Sequence, residues 1–188
     1  MPVERGPNGE CLFRVRYLDK ERVFTPEQIL GMILTDLKSI ADKDEGTSLT
    51  DFVISCPVFF DEVQRRAVLA AAKIAGIDCI KLMPETTATA LGYGLYQTDL
   101  TEKPVNVAFV DVGHSSFQCS IVEFKKGALE VLAHTWDQNL GGRDFDRVLM
   151  DHFAQEFKSK TGMDAKKNKR AMVRLQVACE KIKKVRGR

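Results

Sequence analysis

No apolar stretch in this chain is long enough to span a membrane, and no charged-then-apolar leader opens it. Neither a transmembrane anchor nor a secretory signal is therefore expected, no membrane partner is foreseen, and the cytoplasm, with or without the nucleus, is the expected compartment. No two of the five cysteines (Cys11, Cys56, Cys79, Cys119, Cys179) stand at metal-ligand spacing, and their odd number leaves at least one unpaired. That argues against a zinc site or a disulfide scaffold and for reduced, mostly buried thiols. Aromatic residues are few, at 8%, and none interleaves with the basic residues that crowd the last stretch. From Lys158 onward twelve Lys and Arg face only Asp164 and Glu180, although the whole chain carries a net charge of just +2. The cations fall between apolar helix positions such as Val173, Leu175, Val177 and Ile182, without rings on which bases would stack. A solvated helix face is expected, not a nucleic-acid site.

What remains is ordinary globular material. With 188 residues, 44% hydrophobic and 29% charged, the chain is long enough for one large domain or two small ones and too apolar for disorder. No internal repeat is evident. Residues 10 to 24 read as an extended hairpin turning near Asp19-Lys20. In Thr25-Pro26-Glu27-Gln28 an N-cap threonine, a proline at the first helical position and a glutamine at the third announce a helix running to about Ala41. Ile29, Ile33, Leu37 and Ile40 are expected on its inner face. Phe52 to Cys56 forms a strand ended by Pro57. Asp61 caps a helix to Gly76 with Val63, Ala67, Ala70, Ala71 and Ile74 inward. Ile80 to Met83 is a further strand, followed by a helix from about Glu85 to Tyr96, and this alternation argues for an α/β sheet. The polar segment Thr98 to Lys103 marks a boundary. Beyond it, antiparallel strands over Val105 to Val112, Phe117 to Phe124 and Leu129 to His134 precede two helices. One bears Phe145, Val148, Leu149, Phe153 and Phe157, the other Met172, Leu175, Ala178 and Ile182. Trp136, Cys119 and His152 read as packing residues.

The chemistry is concentrated in two stretches. Asp111-Val112-Gly113-His114-Ser115-Ser116-Phe117-Gln118 follows the apolar run Val105 to Val110, so a carboxylate, a glycine and two hydroxyls sit where a buried strand turns back. Leu140-Gly141-Gly142-Arg143-Asp144-Phe145-Asp146 puts two glycines before an amphipathic helix, whose first N–H groups and positive dipole end are expected to receive an anion. Together they suggest a nucleotide.

These stretches resemble the nucleotide-binding domain of the heat-shock protein 70 superfamily, and most nearly its 110-kDa branch, in which the loop reads Asp-hydrophobic-Gly-His-Ser. Further matches fall in family order at Tyr17 to Arg22, Pro57 with Gln64-Arg65-Arg66, Glu85 to Ala90, Tyr93-Gly94 and Cys179 to Lys184. The resemblance implies an incomplete actin-like ATPase (ribonuclease H-like) fold of the α/β class. Residues 1–99 would form part of a first lobe. Residues 103–188 would form part of a second, with the phosphate loop and the adenosine-side helix. It implies ATP or ADP with Mg2+ between the lobes in the intact protein, but the chain lacks the family's first phosphate hairpin and first-lobe lysine.

By that resemblance Asp111 partners the water ligands of the magnesium. Gly113, His114, Ser115, Ser116, Gly141, Gly142, Arg143 and Asp144 contact phosphate, while Glu180, Lys183 and Lys184, sharing one helix face, take the adenosine. Glu85 aligns with a glutamate implicated in hydrolysis, and Pro57 and Arg65 with a pair that relays nucleotide state. Plainer readings stand beside each: a turn aspartate, a helix-dipole glutamate, a strand stop, a solvated arginine and a surface ion pair. Gln118 replaces an acidic residue. An amide offers no negative charge to a metal shell and takes no proton, so hydrolysis should weaken more than binding. The implied protein is a co-chaperone that grips heat-shock protein 70 chaperones, releases their ADP, and holds unfolded clients through domains absent here. A conventional chaperone ATPase is the alternative, and an actin-fold sugar kinase a third that none of these motifs favours. Val185 to Arg188 depart from the family pattern, and residues 1 to 184 are expected to belong to a longer gene product.

Overall fold

A computed structural model describes residues 3–7, 9–97 and 102–186, with side chains as far as Lys184. The chain divides into two compact units, Met1–Tyr93 and Gly94–Arg188. The division falls inside a helix, not at Thr98 to Lys103, of which residues 98–101 lie outside the described residues. Close packing explains why the end of that helix goes with the second unit: a Cβ on Gly94 would stand 3.0 Å from a ring carbon of Phe124.

In the first unit, β1 (Val3–Arg5), β2 (Cys11–Tyr17) and β3 (Lys20–Phe24) form an antiparallel sheet in that order. The β2–β3 turn uses Leu18 and Asp19, both at positive φ, one residue earlier than the composition suggests, so that Tyr17 pairs with Lys20. Thr25 then caps α1 (Pro26–Glu45): its hydroxyl accepts from Gln28 N and the Gln28 side chain accepts from Thr25 N, a complete capping box. The helix runs one turn beyond the expected end and stops at Gly46, whose φ of 68° suits glycine. β4 (Asp51–Cys56) and β5 (Asp78–Pro84) are parallel neighbours joined by α2 (Glu62–Ile74), capped by Asp61 and Gln64 in the same way.

The expected inner faces of both helices need correction. Ile33, Leu37 and Ile40 of α1 are each more than half exposed, and Val63 of α2 is 76% exposed. The two helices meet through small residues instead. A Cβ on Gly31 would lie 2.8 Å from Ile74 Cγ2 and 3.2 Å from the Ala71 carbonyl, so α1 and α2 approach nearly backbone to backbone. Val68, Ala71, Ala72 and Ala75 are the buried residues, and Ala72, Ala75 and Ile77 form a small core with Leu34, Phe52 and Ile54 packed around it.

α3 (Glu85–Leu95) leads to the second unit, a meander of β6 (Val105–Val112), β7 (Phe117–Lys125) and β8 (Ala128–Asp137). β7 is central and alternates strictly, with Gln118, Ser120, Val122 and Phe124 buried on one face. β8 extends to Asp137, three residues past expectation, carrying His134 and Trp136 with their rings stacked 5.7 Å apart. Trp136 is therefore exposed, not a packing residue. α4 (Gly142–Thr161) ends at Gly162 with φ 74°. A 3-10 turn over Ala165–Lys167 leads to α5 (Lys169–Arg186), whose first amides are capped by Asn168. Phe145, Val148, Ala178 and Ile182 are exposed. The least exposed stripe of α5 runs through half-buried Met172, Leu175 and Lys183 and buried Cys179, at intervals of three and four, and that of α4 through buried Asp146 and Ala154 with half-buried Leu149, Met150 and Phe153. Ala178, Ile182 and Phe157 line an apolar groove of about 760 Å³ between the helices. All five cysteines are free thiols; Cys56 and Cys179 are buried and Cys11 is exposed. Among the described residues no helix is long and apolar enough to cross a membrane.

Candidate functional site: a hairpin loop seated on a helix start

The two motif stretches meet in the second unit. β6 and β7 pair down to Val112 and Phe117, and the loop closes with Gly113 N donating to the Ser116 carbonyl at 2.9 Å. The start of α4 then docks against this loop. Gly142 N donates to the Gly113 carbonyl and Arg143 N to the His114 carbonyl, both at 2.9 Å. Gly141 N donates to the Asp144 carboxylate, also at 2.9 Å, which closes the helix start on itself.

This arrangement corrects one expectation about phosphate. Three of the amides at the start of α4 are occupied by carbonyl and carboxylate oxygens, so this helix end does not offer them to an anion. Among the described residues no hydrogen bond uses the N–H of His114, Ser115 or Ser116, and the Ser115 and Ser116 hydroxyls lie beside them in sequence. Both glycines serve contact with the loop. A Cβ on Gly141 would fall 2.5 Å from the His114 carbonyl oxygen and 2.6 Å from Ser115 N, inside the loop's backbone. A Cβ on Gly142 would stand 3.2 Å from Lys183 Nζ.

Asp111 sits opposite Gln118 across the β6–β7 ladder, on the same face, and Gln118 Nε2 donates to Asp111 Oδ2 at 3.4 Å. Gln118 is buried and Asp111 exposed, so an amide inside the sheet steadies a carboxylate at its rim. Among the described residues there is no cluster of three metal-binding side chains. A magnesium ion here would rest on phosphate oxygens and water, with the Asp111 carboxylate reached through that water, which suits the ion's reluctance to dehydrate. The residues present thus fit a phosphate with its metal through the hairpin loop.

On α5, Glu180 and Lys184 pair at 2.7 Å on an exposed surface, the Lys184 ammonium holding the Glu180 carboxyl below the usual range. Lys183 points elsewhere. Its Nζ donates to the Gly142 carbonyl at 3.0 Å and to Asp146 Oδ2 at 2.9 Å, with Asp146 Oδ1 a further ionic contact at 2.8 Å outside hydrogen-bond geometry. Glu180 and Lys184 thus pair with each other, while Lys183 turns towards the start of α4.

In the first unit, Arg65 reaches back over the turn after β4. Its Nε donates to the Phe60 carbonyl at 2.9 Å, Nη2 approaches the Val58 carbonyl at 3.5 Å, and Nη1 lies 3.6 Å from Cys56 Sγ. Arg65 is thus a brace on the Pro57–Phe60 turn instead of a solvated helix residue. Burial pushes the Cys56 thiol pKa up, with the nearby Arg65 charge opposing it. Glu85 opens α3 in the first turn, directly after β5.

Asp146 escaped the sequence reading. Its signal was present, since a carboxylate on the apolar stripe of a helix, three and four residues before Leu149 and Met150, requires a buried partner.

An antiparallel meander whose hairpin loop carries an aspartate and rests on the start of a helix is compatible with the actin-like ATPase class of fold. The sequence profile of the family described as "Hsp70 protein" matches residues 1–186. Heat shock 70 kDa protein 14 of Arabidopsis thaliana is 52% identical over 184 residues, covering 97% of this chain and 22% of that protein. Heat shock 70 kDa protein 4L of Homo sapiens is 48% identical over 186 residues (97% and 22%), and the 97 kDa heat shock protein of Strongylocentrotus purpuratus 50% over 186 (97% and 21%). The chain belongs to the Hsp70 family, and its fold is an incomplete form of that family's actin-like ATPase domain. It spans about a fifth of the length of these relatives.

Proposed function

We propose that the chain forms part of an ATP-binding co-chaperone of the 110-kDa kind, which binds heat-shock protein 70 partners, promotes release of their ADP and holds unfolded clients in the cytoplasm. Gln118 carries this reading. A hydrolytic site gains from a second carboxylate beside Asp111 that can order a metal-bound water or accept its proton, and Gln118 places an amide there that does neither. The loop amides and the Asp111 carboxylate remain suited to holding a nucleotide with its Mg2+, whose charge would draw the phosphate oxygens together. Binding then outlasts hydrolysis, as a nucleotide-dependent gripping protein requires. The similarity to heat shock 70 kDa protein 4L and the 97 kDa heat shock protein supports the same assignment.

The test uses Gly142→Asp in the intact protein. The Cβ carrying the new carboxylate would stand 3.2 Å from Lys183 Nζ and 3.6 Å from the Gly113 carbonyl oxygen, so the carboxylate would pull the ammonium from Asp146 and prise the loop from the helix. Loss of nucleotide binding together with loss of ADP release from the partner chaperone is expected. Unchanged ADP release despite lost binding would show that occupancy of this site does not drive exchange. A phosphate burst in single turnover by the wild-type protein would instead favour a conventional chaperone ATPase.

A further inference from the structure

The Asp111–Gln118 pair has a third member in its row. Across the β7–β8 ladder Trp136 stands directly opposite Gln118, so Asp111, Gln118 and Trp136 lie side by side on one face of the meander. The neighbouring row is Phe109, Ser120 and His134, and the rings of His134 and Trp136 stack 5.7 Å apart with their planes 20° from parallel. Residues opposite one another in antiparallel strands hold their Cβ atoms about 4.5–5.5 Å apart, which puts the indole within reach of the Gln118 amide. Trp136 is 44% exposed and outside the core, yet Gln118 beside it is only 2% exposed. The large outer side chain flanks the smaller central one and still meets solvent. Ser120 Oγ is buried and has no hydrogen-bond partner among the described residues, so the ring stack, not the hydroxyl, steadies His134.

We infer that Trp136, backed by His134, is a positioning residue that acts through Gln118: it holds the amide against Asp111 and so fixes the carboxylate that faces the water of the magnesium. The inference rests on the nucleotide reading above. A glutamine side chain rotates around several bonds, and the hydrogen bond from Nε2 to Asp111 Oδ2, long at 3.4 Å, restrains that rotation weakly. A flat ring at the flank restrains it by filling the space into which the amide would swing. With the amide fixed, Oδ2 of Asp111 is taken and Oδ1 is turned to accept from water. This ordering matters only when a metal-bound water is there to be held. Trp136 therefore bears on the metal dependence of binding and leaves the contacts of the nucleotide itself unchanged.

The experiment is titration calorimetry of the intact protein with ATP, in excess Mg2+ and in EDTA, on wild type, Trp136→Ala, Trp136→Phe, Gln118→Ala and the double variant Gln118→Ala with Trp136→Ala. Groups that orient the ligands of a metal change its affinity by about 10–100-fold, and Asp111 meets the ion through water, so Trp136→Ala should lose about fivefold or more for MgATP. ATP in EDTA should stay within about twofold of wild type, which also reports that the variant is folded. Trp136→Phe, which keeps a flat ring, should restore most of the loss. In the Gln118→Ala background, Trp136→Ala should cost nothing further, because the side chain through which it acts is gone. His134→Ala, which removes the stack and leaves the indole, should follow the same pattern with a smaller loss and carries the test if Trp136→Ala does not fold. Equal weakening with and without Mg2+ would make Trp136 merely structural and overturn the inference, as would a full further loss in the Gln118→Ala background. A wild-type protein that binds ATP equally with and without Mg2+ would overturn the inference alone, whereas one that binds ATP under neither condition would overturn the nucleotide reading beneath it.

Discussion

Gly141 and Gly142 are adjacent, yet replacing each by alanine should have very different consequences. At Gly141 the backbone is extended, with φ −167°, a conformation any residue adopts, so conformational strain plays no part. Space decides. The new methyl would sit 2.5 Å from the His114 carbonyl oxygen and 2.6 Å from Ser115 N, and neither backbone atom can swing aside as a side chain would. The loop must therefore lift from the helix start, loosening the bonds from Gly142 N and Arg143 N to the Gly113 and His114 carbonyls. Two hydrogen bonds at about 1 kcal/mol each, or a forced overpacking of about 1–3 kcal/mol, bound the cost at about 1–3 kcal/mol. At Gly142 the nearest atom is Lys183 Nζ at 3.2 Å, the far end of a flexible chain. Alanine also favours a helix over glycine by up to about 1 kcal/mol, so that variant should stay within about 1 kcal/mol of wild type. Hydrogen exchange at the Gly142 and Arg143 amides reads the difference directly. Gly141→Ala should speed exchange there by about one to two orders of magnitude, about 1.4 kcal/mol for each, and Gly142→Ala by less than one. Amides in Gly141→Ala as protected as in wild type would refute the close-docked loop.

Gly31→Ala should destabilise the first unit by about 1–3 kcal/mol despite alanine's better helix propensity, because the methyl meets Ile74 and the Ala71 carbonyl; a raised melting temperature would contradict the α1–α2 approach. This chain alone should bind MgATP no tighter than about millimolar, since micromolar affinity requires about 8 kcal/mol and the resemblance assigns half the phosphate contacts elsewhere; a 1:1 low-micromolar titration would sink that. Gln118→Asp in the intact protein should raise single-turnover hydrolysis if the missing charge limits it, and no change would shift the cause to His114-Ser115. Cys11 should react with an alkylating reagent at pH 8 well before Cys56 and Cys179, whose burial raises the thiol pKa and keeps them protonated up to higher pH; simultaneous modification of all three in the folded chain would argue against their burial. With Ile33, Leu37, Ile40, Val63 and Val148 largely exposed, the isolated chain should melt broadly and aggregate, and a sharp, concentration-independent transition would count against this.

Elements set by local chemistry were legible in the residues. Thr25-Pro26-Glu27-Gln28 and Asp61 with Gln64 specify helix starts because cap and partner lie three residues apart and need nothing from the rest of the fold. The β6–β7 alternation and the Asp111-to-Ser116 loop were equally readable, since period and turn chemistry are local properties, and so was the family. Which face of each helix is buried was legible only in part, as at Ala71. Ile33, Leu37 and Val63 look like core residues from their spacing, but α1 and α2 meet where Gly31 and Ala71 allow their backbones to approach, and small residues carry almost no periodic signal. The fate of the amides at the start of α4 was equally hidden, because a helix end offers donors to any acceptor and only the docking of the hairpin shows that Gly113 and His114 take them. Lys183 reads as one of three neighbours on an α5 face until α4 brings the buried Asp146 carboxylate to it across 37 residues. Sequence fixes what a side chain can do, while partners that distant are assigned by packing, because a buried charge takes whichever opposite charge the fold carries to it.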